Sequence, residues 1–159
     1  MGTSAEIIFD TKTYGEFKFY RHYDGYPEEM IPDLKKIFNS CFYDKGNVNK
    51  RSYARVAKTF YNVAKECLAF DSTLRTVSDN MYIGLTARKL CHYFEPTDEN
   101  FDTNYKYFIS TNNAKVITVT VFEEIVTRCQ QTGQYKYNYR QIMKSPLKVA
   151  QTPCTQQID

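Results

Sequence analysis

The chain of 159 residues contains no tryptophan and only two histidines, His22 and His92. Any histidine-dependent catalysis must use one of those two. No glycine-rich phosphate loop, no His-Glu-x-x-His and no Gly-x-Ser-x-Gly occurs, so the strongest signatures of nucleotide hydrolysis, zinc proteolysis and α/β-hydrolase chemistry are missing. Five cysteines, Cys41, Cys67, Cys91, Cys129 and Cys154, form no Cys-x-x-Cys pair, and their number is odd. Reduced thiols are the simplest expectation, and a metal site on Cys91 and His92 lacks further ligands at suitable spacing. No apolar run approaches the roughly eighteen residues of a membrane span. With no signal-peptide core at the amino terminus, a cytosolic chain that does not engage a membrane is expected. Nothing calls for a cofactor or a metal.

What the sequence has in excess is aromatic side chains, with 14 Tyr and 11 Phe. A phenol prefers a wet or hydrogen-bonded site, so several tyrosines are expected at the surface or at a binding face. The net charge of +3 is mild, and Lys and Arg are spread along the chain rather than gathered in one run. An electrostatic grip on nucleic acid is therefore permitted without being announced. A chain of this size buries roughly 70% of its unfolded surface and needs no staples. We expect one domain over residues 1–150 and a loose polar tail over 151–159.

Aromatic and β-branched runs at 5–9 and 16–23 flank Thr13-Tyr14-Gly15 and predict a β-hairpin. Alternation places Phe17, Phe19, Arg21 and Tyr23 on one face of its second strand, Phe side inward, and Lys18, Tyr20 and His22 on the other. From about Pro32, a stripe of Ile31, Leu34, Ile37, Phe38 and Cys41 predicts a helix whose proline occupies the first turn. A second helix over 51–69 buries Tyr53, Ala57, Phe60, Ala64, Cys67 and Leu68. The segments 73–83 and 86–94 have ambiguous periodicity. Residues 95–100 read as an acidic loop. Tyr105–Ser110 and Lys115–Phe122, around Thr111-Asn112-Asn113-Ala114, predict a second hairpin with Ile117, Val119 and Val121 inward. Tyr135, Tyr137 and Tyr139 alternate with Lys136, Asn138 and Arg140. The preferred reading is an edge strand with its aromatic face packed and its cations guarding the other. The alternative presents rings and cations to single-stranded nucleic acid. The expected fold class is α+β, an antiparallel sheet built from two β-hairpins with two or more helices packed on one face.

The densest chemistry lies in Phe19-Tyr20-Arg21-His22-Tyr23-Asp24-Gly25-Tyr26-Pro27-Glu28, where a strand turns into a helix. A guanidinium can fork onto phosphate or carboxylate, and tyrosine rings can stack on a base. Arg21, His22, Tyr23, Asp24 and Tyr26 are the candidate ligand- or partner-binding residues. The structural reading of the same residues is a turn made by Asp24 and Gly25, with Asp24 pairing Arg21. No residue is assigned as catalytic. The best catalytic arrangement would use His22 as acid or base, Asp24 to orient it and Arg21 on a phosphate, and strand alternation counts against it because Arg21 and His22 leave opposite faces.

The run Arg21-His22-Tyr23-Asp24-Gly25-Tyr26-Pro27-Glu28, followed by Ile31-Pro32-Asp33-Leu34, resembles a family of small, mostly uncharacterised bacteriophage and prophage proteins with an Arg-His-x-Asp-Gly-Tyr-Pro element. Tyr105-Lys106-Tyr107-Phe108-Ile109 is also similar to theirs. The resemblance covers about the first forty residues well. It implies a phage setting, the host cytoplasm and a similar α+β fold, and it lends no activity to any residue. A phage protein of this kind is expected to act without catalysis, by binding a host protein and inhibiting or modulating it. A module that sequesters or cleaves a nucleotide signal is the second expectation, and a weak single-stranded nucleic-acid binder the third.

Overall fold

The computed structural model describes residues 2–41, 50–69, 94–100, 102–111 and 116–149. The expectations for 73–83, 86–93, His92, the 112–115 turn and the 151–159 tail lie outside the described residues. Among the described residues six strands form one sheet in the order β3-β2-β1-β4-β5-β6. These are β1 (Ala5–Thr11), β2 (Gly15–Arg21), β3 (Glu95–Thr97), β4 (Tyr105–Thr111), β5 (Val116–Arg128) and β6 (Tyr135–Val149). Two helices, α1 (Pro27–Cys41) and α2 (Lys50–Ala69), come between β2 and β3 in sequence. The class is therefore mixed α and β with a largely antiparallel sheet.

One pairing departs from the expected all-antiparallel sheet. β1 and β4 lie parallel, from Ala5↔Tyr105 to Phe9↔Ile109. The chain reaches β4 from β2 only after both helices, and a long connection of that kind is what parallel neighbours require. Alternation within β1 or β4 carries no information about the direction of the partner. β3 also corrects the reading of 95–100 as a loop, because Glu95–Thr97 pairs with Tyr20–Lys18. Pro96 is tolerated there, at the sheet edge. β5 runs on to Arg128 rather than stopping at Phe122, and β6 joins it through a turn in which Gly133 has a φ of 73°.

The odd-numbered residues of four adjacent strands meet in register: Ile7 stands opposite Phe19 and Tyr107, and Tyr107 opposite Val121. They join Met30, Leu34 and Ile37 of α1 and Tyr53, Ala57, Phe60 and Ala64 of α2 in one buried cluster. The helical stripe at spacings of four, three and four residues in α2 is the cause. Aromatic edges lock this core, with Phe19 against Phe9 at 5.3 Å, Phe60 at 5.4 Å and Phe94 at 6.1 Å between ring centroids. Contacts of this geometry add about 0.5–1.5 kcal/mol each beyond area burial.

α1 begins at Pro27, well before the expected start near Pro32. The carbonyl of Tyr26 accepts from the amides of Glu29 and Met30 at 3.0 and 2.9 Å, so Tyr26 ends the turn and Pro27 takes the first helical position. Glu28 and Glu29 then face the positive end of the helix dipole. Pro32 is an interior proline on the exposed side.

Candidate functional site

The corner between β2 and α1 separates the five candidate residues into one buried group and four exposed ones. Arg21 ends β2 facing inward and is only 3% exposed. Its Nη1 lies 2.6 Å from Oδ2 of Asp33 in α1, its Nε donates to the Tyr23 carbonyl at 2.9 Å, and its guanidinium stands 5.7 Å from the centre of the Phe94 ring. The partner is thus Asp33, and the expected Arg21–Asp24 pair is replaced by one that bolts the helix to the sheet. A phosphate could reach this guanidinium only by displacing Asp33, which weakens the nucleotide reading of the corner.

His22 leaves the opposite side, as alternation implies, and is exposed. Its Nδ1 is 3.0 Å from the Tyr20 hydroxyl, and its ring meets Tyr23 edge-on with centroids 4.4 Å apart. Arg21, His22 and Asp24 therefore do not converge on one cavity, and the catalytic arrangement considered for them is not assembled. Tyr23 is 58% exposed, which corrects its placement on the inward face beside Phe19 and Arg21, because β2 ends at Arg21 and strand alternation stops there; Tyr26 is 39% exposed.

Asp24 takes the left-handed conformation, with φ at 57°. That role suits an Asx residue. Gly25 is needed for a different reason. It lies against the amino-terminal segment, where its amide donates to the Thr3 carbonyl at 2.8 Å, and a Cβ would sit 2.7 Å from that same oxygen. Its own carbonyl accepts from the Tyr107 hydroxyl at 2.5 Å. The Ser4 amide and hydroxyl reach Asn104 Oδ1 at 3.1 and 3.3 Å, completing a seam between the chain start, the corner and β4. Nothing local in residues 2–4 marks a backbone that another segment will use.

Beside the corner lies an open cleft of about 470 Å³, lined by Gly2, Thr3, Tyr26, Asn104, Tyr105, Glu123 and Glu124. Burial, then the neighbouring Glu123 and Glu28 carboxylates, hold the Tyr105 phenol above its ordinary range. The cleft is therefore aromatic and acidic. Of the candidates only Tyr26 lines it; Glu123 and Glu124 went unnoticed because they lie a hundred residues away in sequence. Two other groups stand apart. Tyr135 and Tyr137 are 58% and 59% exposed, which corrects the expectation that the aromatic face of this edge strand is packed. Cys129 is an exposed free thiol at the β5–β6 turn, held below its ordinary range by hydrogen bonding to the Thr132 side chain and to the backbone of Thr132 and Gln131. Among the described residues no cluster of His, Cys, Asp and Glu could hold a metal ion, and no helix is long and apolar enough to cross a membrane. Comparison with family models, curated proteins and solved structures found no match to the chain.

Proposed function

We propose that this chain is a non-enzymatic, phage-encoded protein that modulates a host factor by direct protein binding, with the corner from His22 to Tyr26 as its contact surface. The observation that carries this reading is the contrast between a fixed backbone and free rings. Arg21 to Asp33, Gly25 to Thr3 and Tyr107 to Gly25 hold the corner from three elements, while Tyr23 and Tyr26 remain exposed. Tyrosines presented on a pre-ordered backbone lose little entropy on binding and are typical anchors of protein interfaces. Both helices contribute residues to the buried core, and the exposed corner is the surface proposed for the partner. The cleft beside Tyr26, with Glu123 and Glu124 in its wall, suits a Lys or Arg side chain from that partner. Its charge opposes a phosphate, which places a nucleotide second. The phage setting comes from the Arg-His-x-Asp-Gly-Tyr-Pro resemblance.

Mass spectrometry of what co-purifies from the host tests the reading directly. A host protein in stoichiometric amount is expected. Tyr23→Ala with Tyr26→Ala should weaken its capture by at least about thirtyfold, since anchor residues contribute roughly 2 kcal/mol or more each. The thermal midpoint should stay unchanged. Recovery of no partner by a folded protein, or full retention by the double variant, would sink this assignment.

A further inference from the structure

The β5–β6 hairpin runs beyond the sheet that carries it. β4 accompanies β5 only to Tyr105↔Glu123, whereas β5 and β6 stay paired from Glu124↔Tyr139 out to Arg128↔Tyr135. Because Ile117, Val119 and Val121 point into the core, period-two alternation sends Phe122, Glu124, Val126 and Arg128 to the opposite face. Tyr139, Tyr137 and Tyr135 pair directly with the last three of these, so the rings stand in a row on that face. Successive rings are two residues apart, about 6.8 Å along the strand. Tyr135 and Tyr137 are the most exposed aromatic side chains of the hairpin.

Cations bracket the row. Lys106 Nζ stands 4.5 Å from the Tyr139 ring centre and the Arg128 guanidinium 5.8 Å from that of Tyr135. Lys144, opposite Thr120, continues the same face. Of the cations between residues 125 and 149, Arg128 and Lys144 lie on the tyrosine face, while Lys136 and Arg140 pair with Thr127 and Glu123 on the other. Glu124 stands opposite Tyr139 on the tyrosine face, and Lys106 is shared with Glu6 at 3.5 Å.

We infer that this hairpin face is a binding site for single-stranded nucleic acid, with bases stacking on the exposed Tyr135 and Tyr137 and phosphates following Arg128 and Lys144. Arg128 and Lys144 at the two ends favour a polyanion, and the row of rings selects one with unstacked bases: every base has a π-face, and a stretched strand can follow rings at this interval. An acidic protein would satisfy the charge but gives no reason for three aligned rings.

Fluorescence anisotropy with labelled oligothymidylate and oligouridylate at low salt is the test. Both should bind, more tightly than a duplex of equal length. Tyr135→Ala and Tyr137→Ala should each weaken binding about tenfold, as the loss of one base–aromatic stack does, whereas the Phe variants should retain it. Arg128→Ser and Lys144→Ser should each reduce the logarithmic salt slope by about 0.7. Circular dichroism of each variant checks that the fold is kept. Absence of binding by folded protein, wild-type affinity in the Tyr135/Tyr137 double alanine variant, or displacement by polyglutamate as readily as by unlabelled oligonucleotide would each overturn the site. Tyr23→Ala with Tyr26→Ala should leave this binding intact, which keeps it separate from the partner-binding corner.

Discussion

At Arg21 the chemistry that fits a guanidinium to a phosphate is satisfied internally by a carboxylate. The side chain is 3% exposed and its Asp33 partner 23%, so removing either leaves a charge largely out of water without its counterion. Breaking such a pair costs about 3–5 kcal/mol, far more than a surface ion pair contributes. Asp33→Ala and Arg21→Ala should each lower the thermal midpoint by roughly 10 °C. His22→Ala should move it little, because that ring is exposed and its contacts are with Tyr20 and the exposed Tyr23. Differential scanning calorimetry of the three variants decides the matter; an unchanged midpoint in Arg21→Ala would free this residue for a ligand after all. Of the contacts expected within the motif, the Arg21 pair is the one that differs: its carboxylate is Asp33 and not Asp24. Alternation showed that Arg21 faces inward and His22 outward, while the identity of Asp33 as partner depended on how α1 crosses β2. The left-handed residue of the corner is Asp24, whereas what Gly25 must avoid is the Thr3 carbonyl, a contact no local pattern encodes.

Elements with a strong period were legible, and those whose stability comes from a neighbour were not. The inward residues Ile117, Val119 and Val121 follow from alternation alone, and α2 follows from its apolar stripe. Beyond Phe122, the run Glu-Glu-Ile-Val-Thr-Arg has no apolar alternation, and β5 continues there only because β6 pairs with it. β3 is likewise a strand only because β2 lies beside it. The start of α1 was placed too late because Pro32 and Pro27 both satisfy the rule for a first-turn proline, and the rule cannot rank them. That error has a measurable counterpart. Pro32 now sits inside a helix, where its missing amide leaves one backbone acceptor without its usual donor. Since its side chain is exposed, Pro32→Ala should stabilise the protein by about 1–2 kcal/mol, the restored helical bond outweighing the added freedom of the unfolded chain. Urea titration reads this directly, and a destabilised variant would mean that the proline fixes α1 in some further way.

Across the whole molecule, tyrosine hydroxyls fasten one element to the next. Tyr53 of α2 donates to the Ile109 carbonyl of β4 at 2.8 Å, Tyr107 of β4 to Gly25 in the corner, and Tyr139 of β6 to Thr103 before β4. Among the described residues some tyrosines thus form seams while others, in the corner and the hairpin, stay exposed. Tyr53 and Tyr107 are buried, and burial is the main reason that both phenols are held well above their ordinary range, with Asp10 adding to the effect at Tyr53 and Tyr105 at Tyr107. In the unfolded chain these phenols ionise near pH 10, as free tyrosine does. The folded state keeps its protons while the unfolded state loses them, so the stability they confer is complete below about pH 10 and is lost as pH rises above it. Each contributes a slope of about 1.4 kcal/mol per pH unit in that range. Urea unfolding between neutral and strongly alkaline pH should therefore show stability falling steeply above about pH 10. Tyr53→Phe should cost about 1 kcal/mol at neutral pH through the lost hydrogen bond to Ile109, yet flatten the alkaline decline by one group's worth. A decline equally steep in Tyr53→Phe would show that this phenol titrates alike in both states and that the joint between α2 and the sheet opens to solvent before the protein unfolds.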